Sequence, residues 1–141
     1  MIQSIPHFGL HVADLARSTR FYVEALGFEL THGGRADNIA TLLEVEGAVA
    51  LTQFVRHPSG MVIELWTLEA HPAGGSGSAS PANERGRPHL CLIVDNLDKT
   101  AEQIVALGGS RLDGSRCSLE YGPIMFCADP DGVRLELVQA I

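Results

Sequence analysis

Two histidines and two glutamates recur at matching places in the two halves of the chain. His7 and His89 each begin a hydrophobic segment, and the two segments are 82 positions apart. Glu64 and Glu136 each stand between two hydrophobic residues, and they are 72 positions apart. Imidazole and carboxylate groups together are suited to bind Zn, Ni, Co, Mn or Fe(II). The sequence therefore indicates that these four side chains bind one divalent metal ion.

The alternation of side chains along a β-strand predicts that the four candidate ligands share one kind of surface. Glu64 faces away from its neighbours Ile63 and Leu65, and the other three candidates relate to their hydrophobic neighbours in the same way. The hydrophobic side must pack on helices, which leaves the other side free to form a pocket. Burying the charge of a carboxylate on a strand with hydrophobic neighbours costs free energy unless the carboxylate is paired or bound to metal. An ordinary solvated sheet face is the alternative, and it would need all four residues to match by coincidence.

Helical patterns follow both histidine segments. Asp14 and Asn96 are candidate N-caps, and each helical pattern ends at a glycine, Gly27 or Gly108. A Pro-x-Gly turn then precedes each glutamate segment. The order of these elements predicts an α+β fold made of two βαβββ modules.

The spacing of the repeats also predicts the domain organisation. The 141 residues form a single domain, 1–141, made of modules 1–70 and 86–141 and joined by the linker 71–85, which is rich in Gly, Ser and Pro. The first half carries about ten additional residues. We place them in Arg35–Ala48, where Asn38–Val45 has the spacing of a short helix before a strand at Val49–Val55.

Composition excludes several classes of partner. The formal charge of -7 and the absence of a Lys or Arg cluster argue against nucleic acid, since such binding neutralises many phosphates. No hydrophobic run approaches the roughly 18 to 20 residues that cross a bilayer. The N-terminus lacks the features of a secretory signal, and three cysteines cannot all pair. We therefore expect a cytoplasmic protein without a membrane or nucleic-acid partner.

Five segments carry a resemblance to a known family: the His7 strand, Val12–Tyr22, Ala25–Phe28, Asp129–Gly132 and Leu135–Leu137. In these segments the sequence resembles the vicinal oxygen chelate superfamily, which includes glyoxalase I, methylmalonyl-CoA epimerase, extradiol dioxygenases, and the fosfomycin and bleomycin resistance proteins. The resemblance covers nearly the whole chain. It implies a cupped mixed β-sheet with helices on the outer face, one divalent metal ion, a small-molecule substrate and a homodimer. Whether the two modules pack within one chain or swap between subunits stays open.

The four candidate ligands match the positions of the two His and two Glu ligands of glyoxalase I. The dioxygenases and the fosfomycin-type transferases use two His and one Glu and do not need Glu64, and the epimerases usually carry Gln there. The resemblance therefore implies a metal-dependent lyase or isomerase that moves a proton next to a carbonyl through a metal-stabilised enediolate. Glu136 is the preferred base by analogy, and Glu64 is the other candidate. An Fe(II) dioxygenase, an epimerase and a drug-binding resistance protein remain alternatives, and glutathione-binding residues are not recognisable.

Other residues are candidates for the wall of the pocket. His11 shares the face of His7, Trp66 shares the face of Glu64, and Phe54 belongs to the strand before. We predict that His11, Phe54 and Trp66 contact the substrate, although a lone strand histidine is more often structural. Two further residues are expected to be ordinary: His32 as an exposed turn residue, and Cys91 as a small buried packing residue.

Overall fold

The computed structural model describes residues 1–140. The chain divides into two compact units, Met1–Gly75 (unit 1) and a second that begins at Ser76 (unit 2). The division falls inside the predicted linker, and positions 69–88 contain neither helix nor strand. No helix within residues 1–140 has the length and hydrophobicity needed to cross a membrane.

Unit 1 contains one mixed sheet and two helices. The sheet has the order β1-β4-β3-β2, with β1 parallel to β4 and the other neighbours antiparallel. The elements are β1 (Phe8–His11), α1 (Leu15–Glu24), β2 (Glu29–Ala36), α2 (Ala40–Leu43), β3 (Ala50–Arg56) and β4 (Val62–Leu68).

Unit 2 repeats the same arrangement. Its sheet has the order β5-β9-β8-β6, with β5 parallel to β9, and a short additional strand, β7, pairs with β8. The equal strand order confirms the predicted α+β class and the duplicated module. The elements are β5 (His89–Val94), α3 (Leu97–Ala106), β6 (Ser110–Arg111), a 3-10 turn (Asp113–Ser115), β7 (Cys117–Leu119), β8 (Gly122–Ala128) and β9 (Arg134–Gln139).

The predicted helix boundaries are confirmed at both helices. The side chain of Asp14 accepts a hydrogen bond of 2.9 Å from the backbone N–H of Arg17, and the N-cap Asn96 accepts an equivalent bond in α3. Gly27 and Gly108 follow the helices with φ of 73° and 96°, a region that favours glycine.

Each sheet buries one face against its helix. Ile63 and Leu65 of β4 are 1% and 0% exposed, and α1 packs on β3 and β4. Leu135 and Leu137 of β9 are fully buried in the same way, beneath α3. Because side chains alternate along a strand, the glutamates between these residues lie on the opposite face.

The predicted extra segment of unit 1 contains α2. The helix is shorter than the predicted Asn38–Val45, because Glu44 adopts a left-handed conformation with φ of 56° and ends it after Leu43. The strand that follows begins at Ala50, one residue later than predicted.

Candidate metal and substrate site

In unit 1 the predicted ligands His7 and Glu64 are neighbours. His7 lies immediately before β1, and Glu64 lies within β4, where its register partner on β1 is Gly9. The Nε2 atom of His7 is 3.2 Å from Oε2 of Glu64. The two side chains are 36% and 25% exposed, so the pair is open to solvent and accessible to an ion.

In unit 2 the predicted ligands His89 and Glu136 form the equivalent pair. His89 begins β5, and Glu136 lies within β9 with Cys91 as its register partner. The Nε2 atom of His89 is again 3.2 Å from Oε2 of Glu136, and the side chains are 48% and 22% exposed. In both units the His–Glu pair therefore lies next to the two parallel strands, β1 and β4 or β5 and β9, on the sheet face that the helix does not cover.

The geometry of each pair fits two ligands of one ion. Atoms that each lie about 2.1 Å from an ion, at an angle between 90° and 109°, are about 3.0 to 3.4 Å apart. The observed separation in both pairs is 3.2 Å. Within residues 1–140 neither unit gathers a third His, Cys, Asp or Glu side chain in a position to complete a site. Each unit thus supplies half of the predicted set of four, and binding of one ion by all four side chains stays a prediction.

A phenylalanine packs edge-on against each histidine. The ring of Phe54 lies 5.3 Å from the ring of His7, and that of Phe126 lies 5.5 Å from the ring of His89. Both are register partners of the neighbouring glutamate. The sequence interpretation identified Phe54 and missed Phe126, which the repeat offset of 72 positions would have found. These rings restrict the rotation of the two imidazoles.

His11 and Trp66 form a second feature of the same face. They are register partners on β1 and β4, and their rings stack at 4.2 Å with an interplanar angle of 7°. Trp66 lies two residues after Glu64 and therefore shares its side of β4. The structure places His11, Phe54 and Trp66 on the face of the candidate ligands, while their contact with a substrate stays a prediction.

His32 also reaches this face, which the sequence interpretation did not expect. It is exposed, as predicted, but it lies within β2 and not in a turn. Its ring stacks on Phe54 at 4.3 Å and 13°. The register of β2 against β3 shifts between Leu30 and Gly33, and such a bulge redirects side chains. The two consecutive glycines, Gly33 and Gly34, were the available signal of this irregularity.

The prediction for Cys91 is wrong. Cys91 is exposed rather than packed in the core, and it lies beside its register partner Glu136. Partial burial of the thiol, together with this carboxylate, raises the pKa of Cys91. We call each His–Glu pair a half-site. The position in unit 1 that corresponds to Cys91 is Gly9, so Cys91 distinguishes the two half-sites.

Unit 1 has a further groove of about 740 Å³ between α1 and the sheet. Its lining includes Thr19, Val23, Leu51 and Gln53. Leu51 and Gln53 are directed to the helix side of β3, opposite Phe54. The groove is therefore separate from the candidate ligands of this unit.

Comparison with known proteins agrees with this duplicated architecture. The model of the Glyoxalase/Bleomycin resistance protein/Dioxygenase superfamily matches residues 4–137. The chain therefore belongs to this superfamily, and the resemblance inferred from its motifs is confirmed.

Three individual proteins illustrate the range of similarity. Lactoylglutathione lyase of Salmonella typhimurium is 31% identical over 144 residues, which cover 95% of this chain and 90% of the relative. A glyoxalase family protein from Bacillus cereus has a TM-score of 0.85 at 14% identity, covering 100% of this chain and 96% of the other. A fosfomycin resistance protein from Listeria monocytogenes, solved with Mn(II) and a dihydroxypropylphosphonic acid, has a TM-score of 0.61 at 21% identity, covering 100% and 95%. At such identities the two structures support the fold and not an activity.

Proposed function

We propose that this protein is a metal-dependent lyase or isomerase of the glyoxalase I type, which moves a proton between carbons next to a carbonyl of a small substrate. The observation that carries the proposal is the repeated His–Glu pair, with the same 3.2 Å separation in both units. The similarity to lactoylglutathione lyase over 95% of the chain supports the same class of reaction.

One divalent ion, held by His7, Glu64, His89 and Glu136, would polarise the substrate carbonyl and stabilise the negative charge that develops on its oxygen. Zn, Ni, Co, Mn and Fe(II) are all compatible with this donor set. A complete site of four ligands needs the His–Glu pair of unit 1 together with the His–Glu pair of unit 2. The two units can belong to one chain or to the two subunits of a homodimer.

The proton transfer is the task of a glutamate. A carboxylate removes the proton from the carbon next to the carbonyl, and the electron pair of that C–H bond moves to give the enediolate. The same carboxylate then returns the proton to the former carbonyl carbon, while the proton of the adjacent hydroxyl moves to the former carbonyl oxygen, so the reaction needs no oxidant or reductant. We propose Glu136 as this base and Glu64 as the alternative, since both present a part-exposed carboxylate.

The walls of the site orient the substrate. Phe54 and Phe126 hold the two histidine rings, and the stack of His11 on Trp66 offers a flat surface on the same face as Glu64. Such surfaces exclude water from the reacting carbon and favour one substrate orientation.

The test is activity of a metal-reconstituted protein. Protein stripped with a chelator would be loaded separately with Zn, Ni, Co, Mn or Fe(II) and supplied with methylglyoxal, with and without glutathione. We expect one ion per complete site and turnover with at least one of these metals. We expect Glu136→Gln to lower kcat by about 100-fold to 10,000-fold while the fold is kept.

The matched control is Glu102→Gln, which removes an exposed carboxylate from α3. It should leave metal content and turnover unchanged. Full turnover by metal-free protein, or by Glu136→Gln together with Glu64→Gln, would refute the proposal. Oxygen consumption with a catechol that Glu64→Gln does not alter would instead identify a dioxygenase.

A further inference from the structure

Arg134 breaks the symmetry between the two half-sites. It begins β9 two residues before Glu136, so both side chains lie on the same side of that strand. Its register partner on β5 is His89. The position that corresponds to it in unit 1, by the repeat offset of 72, is Val62. At that position unit 1 therefore lacks an arginine, and it carries one on the adjacent strand instead: Arg56 of β3, the register partner of Val62, which is exposed.

The guanidinium group of Arg134 is held in place. Its Nε and Nη2 atoms donate hydrogen bonds of 3.0 and 2.9 Å to the carbonyl oxygen of Ser80. Its central carbon lies 5.1 Å from the centroid of the Phe126 ring, the ring that packs against His89. An arginine side chain carries five N–H donors, and these two bonds use two of them. The remaining donors are fixed in direction before any ligand arrives.

The charge of Arg134 is not balanced by an acidic side chain. Its hydrogen bonds go to a neutral carbonyl, and no carboxylate of residues 1–140 forms an ion pair with it. By contrast, Arg111 and Arg116 of the same unit are both paired with Asp98. A part-buried, fixed and unpaired guanidinium is suited to bind an oxyanion.

We infer that Arg134 binds an anionic group, a carboxylate or a phosphate, of the substrate. The inference rests on the proposed function, because it takes the His89–Glu136 pair to be part of the reaction site. In that site two carboxylates balance the two charges of a divalent ion, and Arg134 adds a positive charge. The substrate class is then a small hydroxy- or oxo-compound that carries an oxyanion.

Two pairs of probes separate the contribution of the anion. Dihydroxyacetone phosphate and dihydroxyacetone differ by the phosphate, and lactate and propane-1,2-diol differ by the carboxylate. Their dissociation constants would be measured by ligand-observed NMR with metal-free and with zinc-loaded protein. We expect the anionic member of at least one pair to bind about tenfold tighter than its neutral partner. The pair that shows the larger ratio identifies the oxyanion.

Variants then assign the preference to Arg134. Arg134→Gln should remove the preference, whereas Arg134→Lys should keep most of it because it keeps the charge. Arg20→Gln changes the net charge equally on an exposed arginine of α1 and should keep the full preference. The inference is overturned if wild type shows no preference in either pair, or if Arg134→Gln retains it. It is also overturned if Arg134→Lys loses as much of the anion preference as Arg134→Gln does. The role of Arg134 would then be to fix the Ser80 backbone.

Two further measurements keep the test decisive. If Arg134→Gln does not fold, the salt dependence of wild type replaces it, and a preference that does not shrink between low and high ionic strength contradicts the inference. Zinc stoichiometry is recorded in parallel. Failure to bind zinc and each of the other four metals, Ni, Co, Mn and Fe(II), refutes the proposed function, whereas metal binding without an anion preference refutes only the role of Arg134.

Discussion

Cys91 lies directly beside Glu136 on the neighbouring parallel strand, and the carboxylate contributes to the raised pKa of the Cys91 thiol. The pair Gly9 and Glu64 has the same register in unit 1, without a side chain that can donate. In the proposed metal site, we expect the Cys91 thiol to help fix the orientation of the Glu136 carboxylate. Outer partners of metal ligands commonly change metal affinity about 10-fold to 100-fold when removed.

Cys91→Ala should therefore weaken zinc binding by about tenfold, and Cys91→Ser should restore most of the affinity because its hydroxyl also donates. Isothermal titration of zinc into chelator-treated protein measures both. Cys117→Ala, at an exposed cysteine of β7, is the matched control and should have no effect. Wild-type affinity in Cys91→Ala would show that the thiol does not orient Glu136.

The buried thiol of Cys127 should resist alkylation in the folded protein. Burial raises the pKa of Cys127 to about 11, so at pH 8 only about one thiol in a thousand is ionised. We expect iodoacetamide to modify the exposed Cys117 first and Cys127 only after unfolding in urea, as followed by mass spectrometry. Equal rates at Cys117 and Cys127 in native buffer would contradict the structure.

Trp66 should report on events at the half-site of unit 1. It is the single tryptophan of the chain, it stacks on His11, and it follows Glu64 by two residues. Zinc binding at Glu64 should change its fluorescence and saturate at one ion per complete site. Glu64→Gln should abolish the change and Glu102→Gln should not. An identical zinc response in Glu64→Gln would place the ion away from Glu64.

The N-caps of the two helices should contribute independently to stability. Asp14→Ala and Asn96→Ala each remove a side chain that accepts a 2.9 Å bond from a backbone N–H of the first turn. Each should lower the free energy of unfolding by about 1 kcal/mol, and the double variant by about the sum. Urea denaturation measures the losses. Asp95→Ala, next to a cap but not itself one, should change stability by less than about 0.5 kcal/mol.

Much of the fold and half of the site geometry could be predicted because the information is local and repeated. The alternation around Glu64 and Glu136 determined which face each carboxylate occupies, and the N-caps Asp14 and Asn96 determined where the helices begin. The same repeat offset, applied to Phe54, would have found Phe126. These features depend on short segments of sequence, so one copy of the module supports the interpretation of the other.

The remaining features depend on pairing between distant segments. His32 reaches Phe54 only because β2 changes register against β3. Cys91 meets Glu136 only because β5 and β9 pair in one particular register, and the bond from Arg134 to Ser80 joins positions 54 residues apart. Residue types do not determine register, and a shift of one residue would direct each side chain to the other face.

The register change in β2 yields a sharp comparison between two adjacent glycines. A Cβ atom on Gly33 would lie 2.5 Å from the carbonyl oxygen of Thr52, whereas a Cβ atom on Gly34 would meet nothing within 4 Å. Neither glycine has positive φ, so the two substitutions by alanine have a similar intrinsic cost. Gly33→Ala must displace backbone and should lower the free energy of unfolding by about 1 to 3 kcal/mol. Gly34→Ala should be neutral or stabilise by less than about 1 kcal/mol, since alanine restricts the unfolded chain.

Urea denaturation of both variants measures the difference. NMR shifts of the His32 ring should move in Gly33→Ala alone, because its stack on Phe54 depends on this strand geometry. Equal stability of the two variants would mean that β2 does not approach Thr52 as the structure shows.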